Sequence, residues 1–179
     1  MEIIRSQDQY YIYRNDPEQY DNLLYKNNET RILESQLPSD IKTGRNRLQG
    51  YLTDAKEKGA TVEALNNANE DFSGTRKIPL TLVTNTTEEM QIMQDEIFGP
   101  LLPIVTYKSL DEALTFVNER PRPLALYLFS HNRNEQDHVM KVTHAGGVSI
   151  NDCLTHIAQD DMPFGGVGDS GIGHYHGSE

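Results

Sequence analysis

No helix can run through Gly99-Pro100, and that single break constrains the chain more than any other feature. Proline fixes its own φ and pushes the residue before it out of the helical region. The acidic stretch ending in Asp95-Glu96-Ile97-Phe98 and the apolar run Leu101-Leu102-Pro103-Ile104-Val105-Thr106-Tyr107 must therefore be separate elements. The apolar run reads as a buried strand, which places Glu96 and Phe98 at a strand mouth. A carboxylate offers two acceptor oxygens to two neighbouring hydroxyls, and a ring two residues away can cover a flat heterocycle. On composition alone the same residues are better described as a solvated acid beside a core phenylalanine.

On either side of this break the chain alternates strand and helix. Upstream, residues 39–58 predict a helix with Ser39 or Asp40 as cap, Leu48, Leu52 and Ala55 on one face, and Gly59 as the stop. Residues 60–65 and 78–83 read as strands, the second tolerating Pro79 only near its start or at a sheet edge. Between them, residues 66–76 belong to a surface loop. Thr86-Thr87-Glu88-Glu89 has the form of a capping box opening a short helix, with Met90 and Met93 facing inward. Downstream, Ser109-Leu110-Asp111-Glu112 has the same form, and Leu110, Ala113, Leu114 and Val117 follow at helical spacing. Residues 124–130 are nearly all apolar, as in a strand buried on both faces of a parallel sheet. A capped helix is expected from Asn132 to about His144, and residues 148–151 form the next strand. The expected fold class is α/β, a mostly parallel sheet with flanking helices. Near the start, Tyr10-Tyr11-Ile12-Tyr13 suits a short strand and residues 17–26 a short helix.

The totals narrow the class. At 179 residues the chain is one domain's worth, able to bury about 70% of its unfolded surface. A net charge of −11 argues against nucleic acid and anionic membrane as partners, since both need a basic footprint. No apolar run approaches the ~18 residues of a membrane span, and no leader opens the chain. A soluble, cytoplasmic protein is expected, and the one cysteine, Cys153, forms no intrachain disulfide.

Three motifs invite chemistry. Cys153 is a tempting nucleophile, but apart from His156 nothing near it supplies the cationic setting that activates a thiol, so a buried, inert cysteine is expected. Cys153, His156, His174 and His176 carry zinc-ligand chemistry at spacings that depart from the common finger patterns, and no metal site is assigned. Gly166-Val167-Gly168-Asp169-Ser170-Gly171 satisfies the dinucleotide pattern letter for letter but lacks its strand-then-helix context.

Met93-Gln94-Asp95-Glu96-Ile97-Phe98-Gly99-Pro100 resembles a signature of the aldehyde dehydrogenase superfamily. Arg122-Pro123-Leu124-Ala125-Leu126-Tyr127-Leu128-Phe129-Ser130, Gly146-Gly147-Val148-Ser149-Ile150-Asn151-Asp152 and Pro163-Phe164-Gly165-Gly166-Val167-Gly168 are similar to later segments of that family, in the same order. Arg47-Leu48-Gln49, Lys58-Gly59-Ala60-Thr61-Val62 and Gly173-His174-Tyr175-His176-Gly177 favour its class 3 branch, closest to the coniferyl aldehyde dehydrogenases.

The resemblance implies that Glu96 binds the nicotinamide ribose hydroxyls, that Phe98 packs near the nicotinamide, and that Phe164 lines the aldehyde tunnel. It implies an NAD(P)+-dependent oxidation of an aldehyde, such as coniferyl aldehyde, to the carboxylic acid. The family's nucleophile, in a Gly-Gln-x-Cys motif, its glutamate base, its oxyanion asparagine and its Rossmann portion have no counterpart in these residues, so no catalytic residue is assigned. Residues 38–179 are expected to be the C-terminal part of the catalytic domain, from an excised piece or a truncated gene product. Residues 1–37 are an unmatched segment packed on it. The chain alone is then inactive and binds the cofactor without tight affinity. The alternative is a stand-alone nucleotide-binding module, or an oligomerisation module in which a sheet edge pairs with a second copy.

Overall fold

The computed structural model describes the backbone alone for residues 2–6, 9–13 and 41–43, and both backbone and side chains for residues 44–72, 75, 77–174 and 176–177. The helix expected at 17–26 and the cap at Ser39 or Asp40 lie outside the described residues. Two units divide the chain, one made of Met1–Arg14 with Val105–Glu179, the other of Asn15–Ile104.

In the unit spanning residues 15–104, helix α1 runs over Ile41–Glu57. Gly44 and Gly50 each cost a helix about 1 kcal/mol relative to alanine. Burial offsets them, because Leu48, Tyr51, Leu52 and Ala55 are all under one-tenth exposed, and a large apolar side chain contributes ~1.5–3 kcal/mol when covered. Gly59, at φ +93°, ends the helix as expected. Strands β3 (Thr61–Ala64), β4 (Thr81–Thr84) and β5 (Leu101–Thr106) follow, with β3 antiparallel to β4 and β4 parallel to β5.

Two expectations are corrected here. The strand placed at residues 78–83 begins at Thr81, so Pro79 stands before the ladder, and the bonds from Leu65 N–H to the Leu80 carbonyl and from Thr81 N–H to the Pro100 carbonyl form beyond it. The short helix α2 covers Gln91–Gln94, and the Thr86 box does not cap it. Its cap comes from α1, where Asp54 Oδ2 accepts from the Gln91 N–H at 2.9 Å. Lys58 pairs with the other oxygen at 2.6 Å and holds the Asp54 carboxyl below its usual pKa, helped by the Gln91 bond. Met90 and Met93 do face inward, at 0% and 4% exposed.

In the other unit, β1 (Glu2–Ser6) and β2 (Gln9–Tyr13) form an antiparallel hairpin, and β2 lies parallel to β6 (Ala125–Phe129). Strand β7 (Gly147–Ile150) runs parallel on the far side of β6, one residue earlier than expected. Ala125 to Leu128 are at most 1% exposed, the double burial that their continuous apolarity predicts. Helix α3 (Leu110–Asn118) begins at Ser109, whose Oγ accepts from the Glu112 N–H at 3.3 Å. Glu112 reaches back one residue further than a capping box would, accepting from the Lys108 N–H at 2.8 Å. Helix α4 covers Arg133–Val142, two residues short of the expected end, with Asn132 as its cap. Ala113, Leu114, Val117, Leu126, Leu128 and Val139 form the core between helices and sheet.

The C-terminal ends of β6 and β7 are tied by one side chain. Asn151, in left-handed backbone at φ +57°, accepts from the Ser130 N–H at 2.9 Å and donates to its carbonyl at 3.1 Å. The amide thus replaces a missing ladder residue and turns the chain out of the sheet.

Candidate functional site

Each unit carries one of the surfaces that the sequence singles out. In the unit spanning residues 15–104, the segment between α2 and β5 alternates exposure. Ile97 is 1% exposed, while Glu96 and Phe98 on either side of it face solvent, Phe98 at 54%. The Glu96 carboxylate makes no hydrogen bond or ion pair among the described residues. Phe98 sits in left-handed backbone at φ +45°, a conformation that costs a bulky residue roughly 1–2 kcal/mol.

What holds this corner lies about fifty residues upstream. Arg47 Nη1 donates to the Glu96 carbonyl at 2.9 Å and Nη2 to the Ile97 carbonyl at 2.8 Å. Nη1 also donates to the Tyr51 hydroxyl at 2.9 Å, which donates in turn to Asp95 Oδ2 at 3.1 Å. The guanidinium lies 5.2 Å from the Tyr51 ring centroid, within cation–π range. Beyond Phe98 the chain presses onto α1, so that a Cβ at Gly99 would come within 2.5 Å of Leu48 Cδ1. Arg47 and Tyr51 were given no role by sequence reasoning. Their signal was the i, i+4 spacing of an arginine and a tyrosine on the apolar side of α1.

In the other unit, Phe164 belongs to an aromatic chain. His156 is 5% exposed and meets Tyr127 edge-on at 5.6 Å between centroids and Phe164 at 5.5 Å. Phe164 stacks on His176 at 5.8 Å, and their backbones form an isolated antiparallel bridge. His156 Nδ1 lies 3.1 Å from Ser149 Oγ, while its buried Nε2 has no hydrogen-bond partner among the described residues. Burial holds its pKa below the usual histidine value and pushes the Tyr127 phenol up to about 12. Glycines make room for the cluster: a Cβ at Gly147 would lie 2.8 Å from His156 Cδ2, and one at Gly165 would lie 2.0 Å from the Gly173 carbonyl oxygen.

Cys153 is half-buried, not buried as expected, because it sits on the excursion between the left-handed residues Asn151 and Leu154. Its nearest charged neighbour in sequence is an acid: Asp152 Oδ1 accepts from the Cys153 N–H at 2.8 Å, the opposite of a thiolate-stabilising setting. His156 and His176 are brought to Phe164 rather than to a shared metal position, and no group of three or more metal-binding side chains is assembled among the described residues. The stretch matching the dinucleotide pattern closes on itself through Val167 N–H to Ser170 Oγ at 2.9 Å, with a three-residue 3-10 turn where that motif requires a helix.

An α/β scaffold with an acid and a ring exposed beside a sharp turn, and an aromatic wall on a glycine-rich loop, defines the frame for comparison with known proteins. The chain belongs to the aldehyde dehydrogenase family, whose sequence pattern matches residues 38–179. A probable coniferyl aldehyde dehydrogenase of Pseudomonas aeruginosa is 55% identical over 133 residues, covering 74% of this chain and 27% of the relative. A coniferyl aldehyde dehydrogenase of a Pseudomonas species is 50% identical over 133 residues, covering 73% and 28%. Among solved structures, the substrate-bound state of Staphylococcus aureus AldH superposes with a TM-score of 0.70 at 38% identity, covering 93% of this chain and 37% of that one. A betaine aldehyde dehydrogenase of the same organism, solved with NAD+, gives 0.66 at 29% identity, covering 76% of this chain and 27% of that one. The chain thus spans little more than a quarter of the length of these curated relatives.

Proposed function

We propose that this chain supplies two surfaces of an NAD(P)+-dependent aldehyde dehydrogenase: a nicotinamide-ribose corner, Glu96 with Phe98, and an aldehyde-side wall, Phe164. The observation that carries the reading is the corner itself. An ionisable acceptor and a ring are both held outward around a buried Ile97, and the ring occupies backbone that a phenylalanine adopts at a cost. Two carboxylate oxygens suit a vicinal diol, and an exposed ring suits a flat heterocycle, so the residues present fit the cofactor. When bound, that cofactor accepts hydride from the substrate. Glu96 orients the ribose and Phe98 covers the ring. Phe164, set on its aromatic stack, offers a flat apolar face to an aromatic aldehyde of the coniferyl type.

These 179 residues contain no Gly-Gln-x-Cys segment, and the one thiol stands next to an acid. The chain by itself is therefore inactive and binds the cofactor weakly. A small-molecule aldehyde as partner, self-association through a sheet edge and a cytoplasmic location belong to the same reading. No helix among the described residues is long and apolar enough to cross a membrane.

The test is a titration of the isotope-labelled chain with NAD+, followed by NMR. Shifts at Glu96 and Phe98 that Glu96→Gln removes would support the corner, and their absence at millimolar NAD+ would sink it. In parallel, the chain is incubated with NAD+ and a cinnamyl-type aldehyde while reduced cofactor is followed. Turnover abolished by Cys153→Ala would overturn the reading of that thiol as inert.

A further inference from the structure

We infer that Arg47 is a positioning residue for the cofactor corner, fixing by its planar fork the backbone from which Glu96 and Phe98 project. The inference rests on the ribose-binding reading of Glu96 and adds to it a residue that never touches the ligand.

The geometry is specific to a guanidinium. Its two terminal nitrogens meet two successive carbonyls, Glu96 at 2.9 Å and Ile97 at 2.8 Å, on the residue proposed to bind the diol and the residue after it. Five donors in a rigid plane can do this with a donor left over, and Nη1 uses it on the Tyr51 hydroxyl. Tyr51, 5% exposed, then reaches Asp95 Oδ2 at 3.1 Å. Three consecutive residues, Asp95, Glu96 and Ile97, are thereby tied to one turn of α1, two through the main chain and one through its side chain. Ile97 anchors the same segment from below, and Leu48 abuts Gly99. The Glu96 side chain itself is left without a hydrogen bond or ion pair among the described residues. The backbone is over-determined and the functional group is free, which is how a site is preorganised: the restraint is supplied before the ligand arrives. The left-handed φ of Phe98, one residue past the second clamped carbonyl, shows what the restraint sustains.

A lysine at this position keeps the charge and a hydrogen-bonding head but not the planar pair of donors. A methionine keeps apolar length and nothing else. The experiment compares the chain with its Arg47→Lys and Arg47→Met variants, reading the carbonyl ¹³C shifts of Glu96 and Ile97 and the Phe98 ring resonances during titration with nicotinamide mononucleotide. The two carbonyl shifts should move together toward unbonded values in Arg47→Met and partly return in Arg47→Lys. The dissociation constant should rise at least several-fold in Arg47→Met and less in Arg47→Lys. Arg45→Met, two residues away and bonded to the loop carbonyls of Phe72 and Thr75, should leave both readouts at wild-type values. Carbonyl shifts unchanged in Arg47→Met would overturn the clamp, whatever the nucleotide does. Carbonyl shifts that move with unchanged affinity would overturn the positioning role. If the wild-type chain gives no nucleotide shifts while the carbonyls still respond to Arg47, the ribose reading falls and the clamp stands as a fold contact only. Should Arg47→Met fail to fold, Arg47→Lys alone carries the same contrast against the wild type.

Discussion

The corner at Glu96 and the wall at Phe164 are built on opposite principles. At the corner, the Glu96 and Phe98 side chains are exposed and the backbone beneath them is clamped by a charged side chain of α1. At the wall, the half-buried Phe164 ring is one link in an aromatic chain anchored on the buried His156 and Tyr127, and what surrounds it is backbone packed on backbone through glycines. Polar clamping tolerates adjustment, because the far end of a flexible side chain can shift. Glycine-mediated contact does not, because backbone has nowhere to go. The corner should bend under mutation where the wall breaks.

The largest effect expected from that difference is a paired glycine test. Gly165→Ala drives a methyl to 2.0 Å from the Gly173 carbonyl oxygen, and overpacking against backbone of this kind costs about 3 kcal/mol. Gly99→Ala meets only the tip of the Leu48 side chain, which can rotate away, so about 1 kcal/mol is expected. Urea unfolding of both variants measures the gap. Equal destabilisation would erase the distinction between the two surfaces.

Next in size is the loss of the clamp. Arg47→Met removes three hydrogen bonds from a guanidinium, and its half-exposed position limits the cost to about 1–2 kcal/mol. A loss below a few tenths of a kcal/mol would mean that Ile97 alone holds the segment.

Acid should separate the surfaces in the same sense. His156 is held neutral by burial, so the unfolded chain takes up its proton first. Its contribution is intact above the ordinary histidine value of 6.5 and is lost as pH falls from there through the depressed folded value. Asp54, which caps α2 and is paired with Lys58, keeps its charge until pH falls below the ordinary aspartate value of 3.8. Acidification from neutrality therefore loosens the aromatic wall before the α1–α2 contact. Residue-resolved melting at pH 7 and pH 5 checks the order, and loss of the α1–α2 resonances first would reverse it. In His156→Phe the step between these pH values should disappear.

How much of this could be read beforehand follows the range of the interactions. Helix α3 was readable in its cap and its buried face, and β6 in its unbroken apolarity, because local rules settle both. The Gly99-Pro100 break was readable for the same reason, whereas the exposure of Phe98 was not, since a phenylalanine beside a solvated acid is ordinarily core. The α2 cap was not, because it comes from Asp54, 37 residues upstream, and a local Thr-Thr-Glu-Glu pattern stood in the way. Nor was the Arg47 clamp, because the Arg47–Tyr51 spacing on α1 is visible locally but the two carbonyls it holds lie about fifty residues downstream. The exit turn at Asn151 hid similarly, since its amide bonds to the backbone of Ser130 rather than to another side chain. Within the candidate site, the residues proposed to meet a ligand carry the family resemblance, whereas the long-range bonds that support them are seen only in the fold.

The smallest expected change is also the most diagnostic, since it has the opposite sign. Phe98 gains little from the fold: its ring is 54% exposed and its backbone is left-handed. Asparagine adopts that backbone far more readily, so Phe98→Asn should stabilise the chain by up to about 1 kcal/mol. A residue retained for packing would show the reverse, because removing a buried ring costs ~3–5 kcal/mol. If Phe98→Asn raises the urea midpoint while abolishing the nucleotide shifts at Glu96, the strain is tied to binding, as the corner requires. If it lowers the midpoint and leaves those shifts intact, the ring is part of the structure and the corner loses its cover.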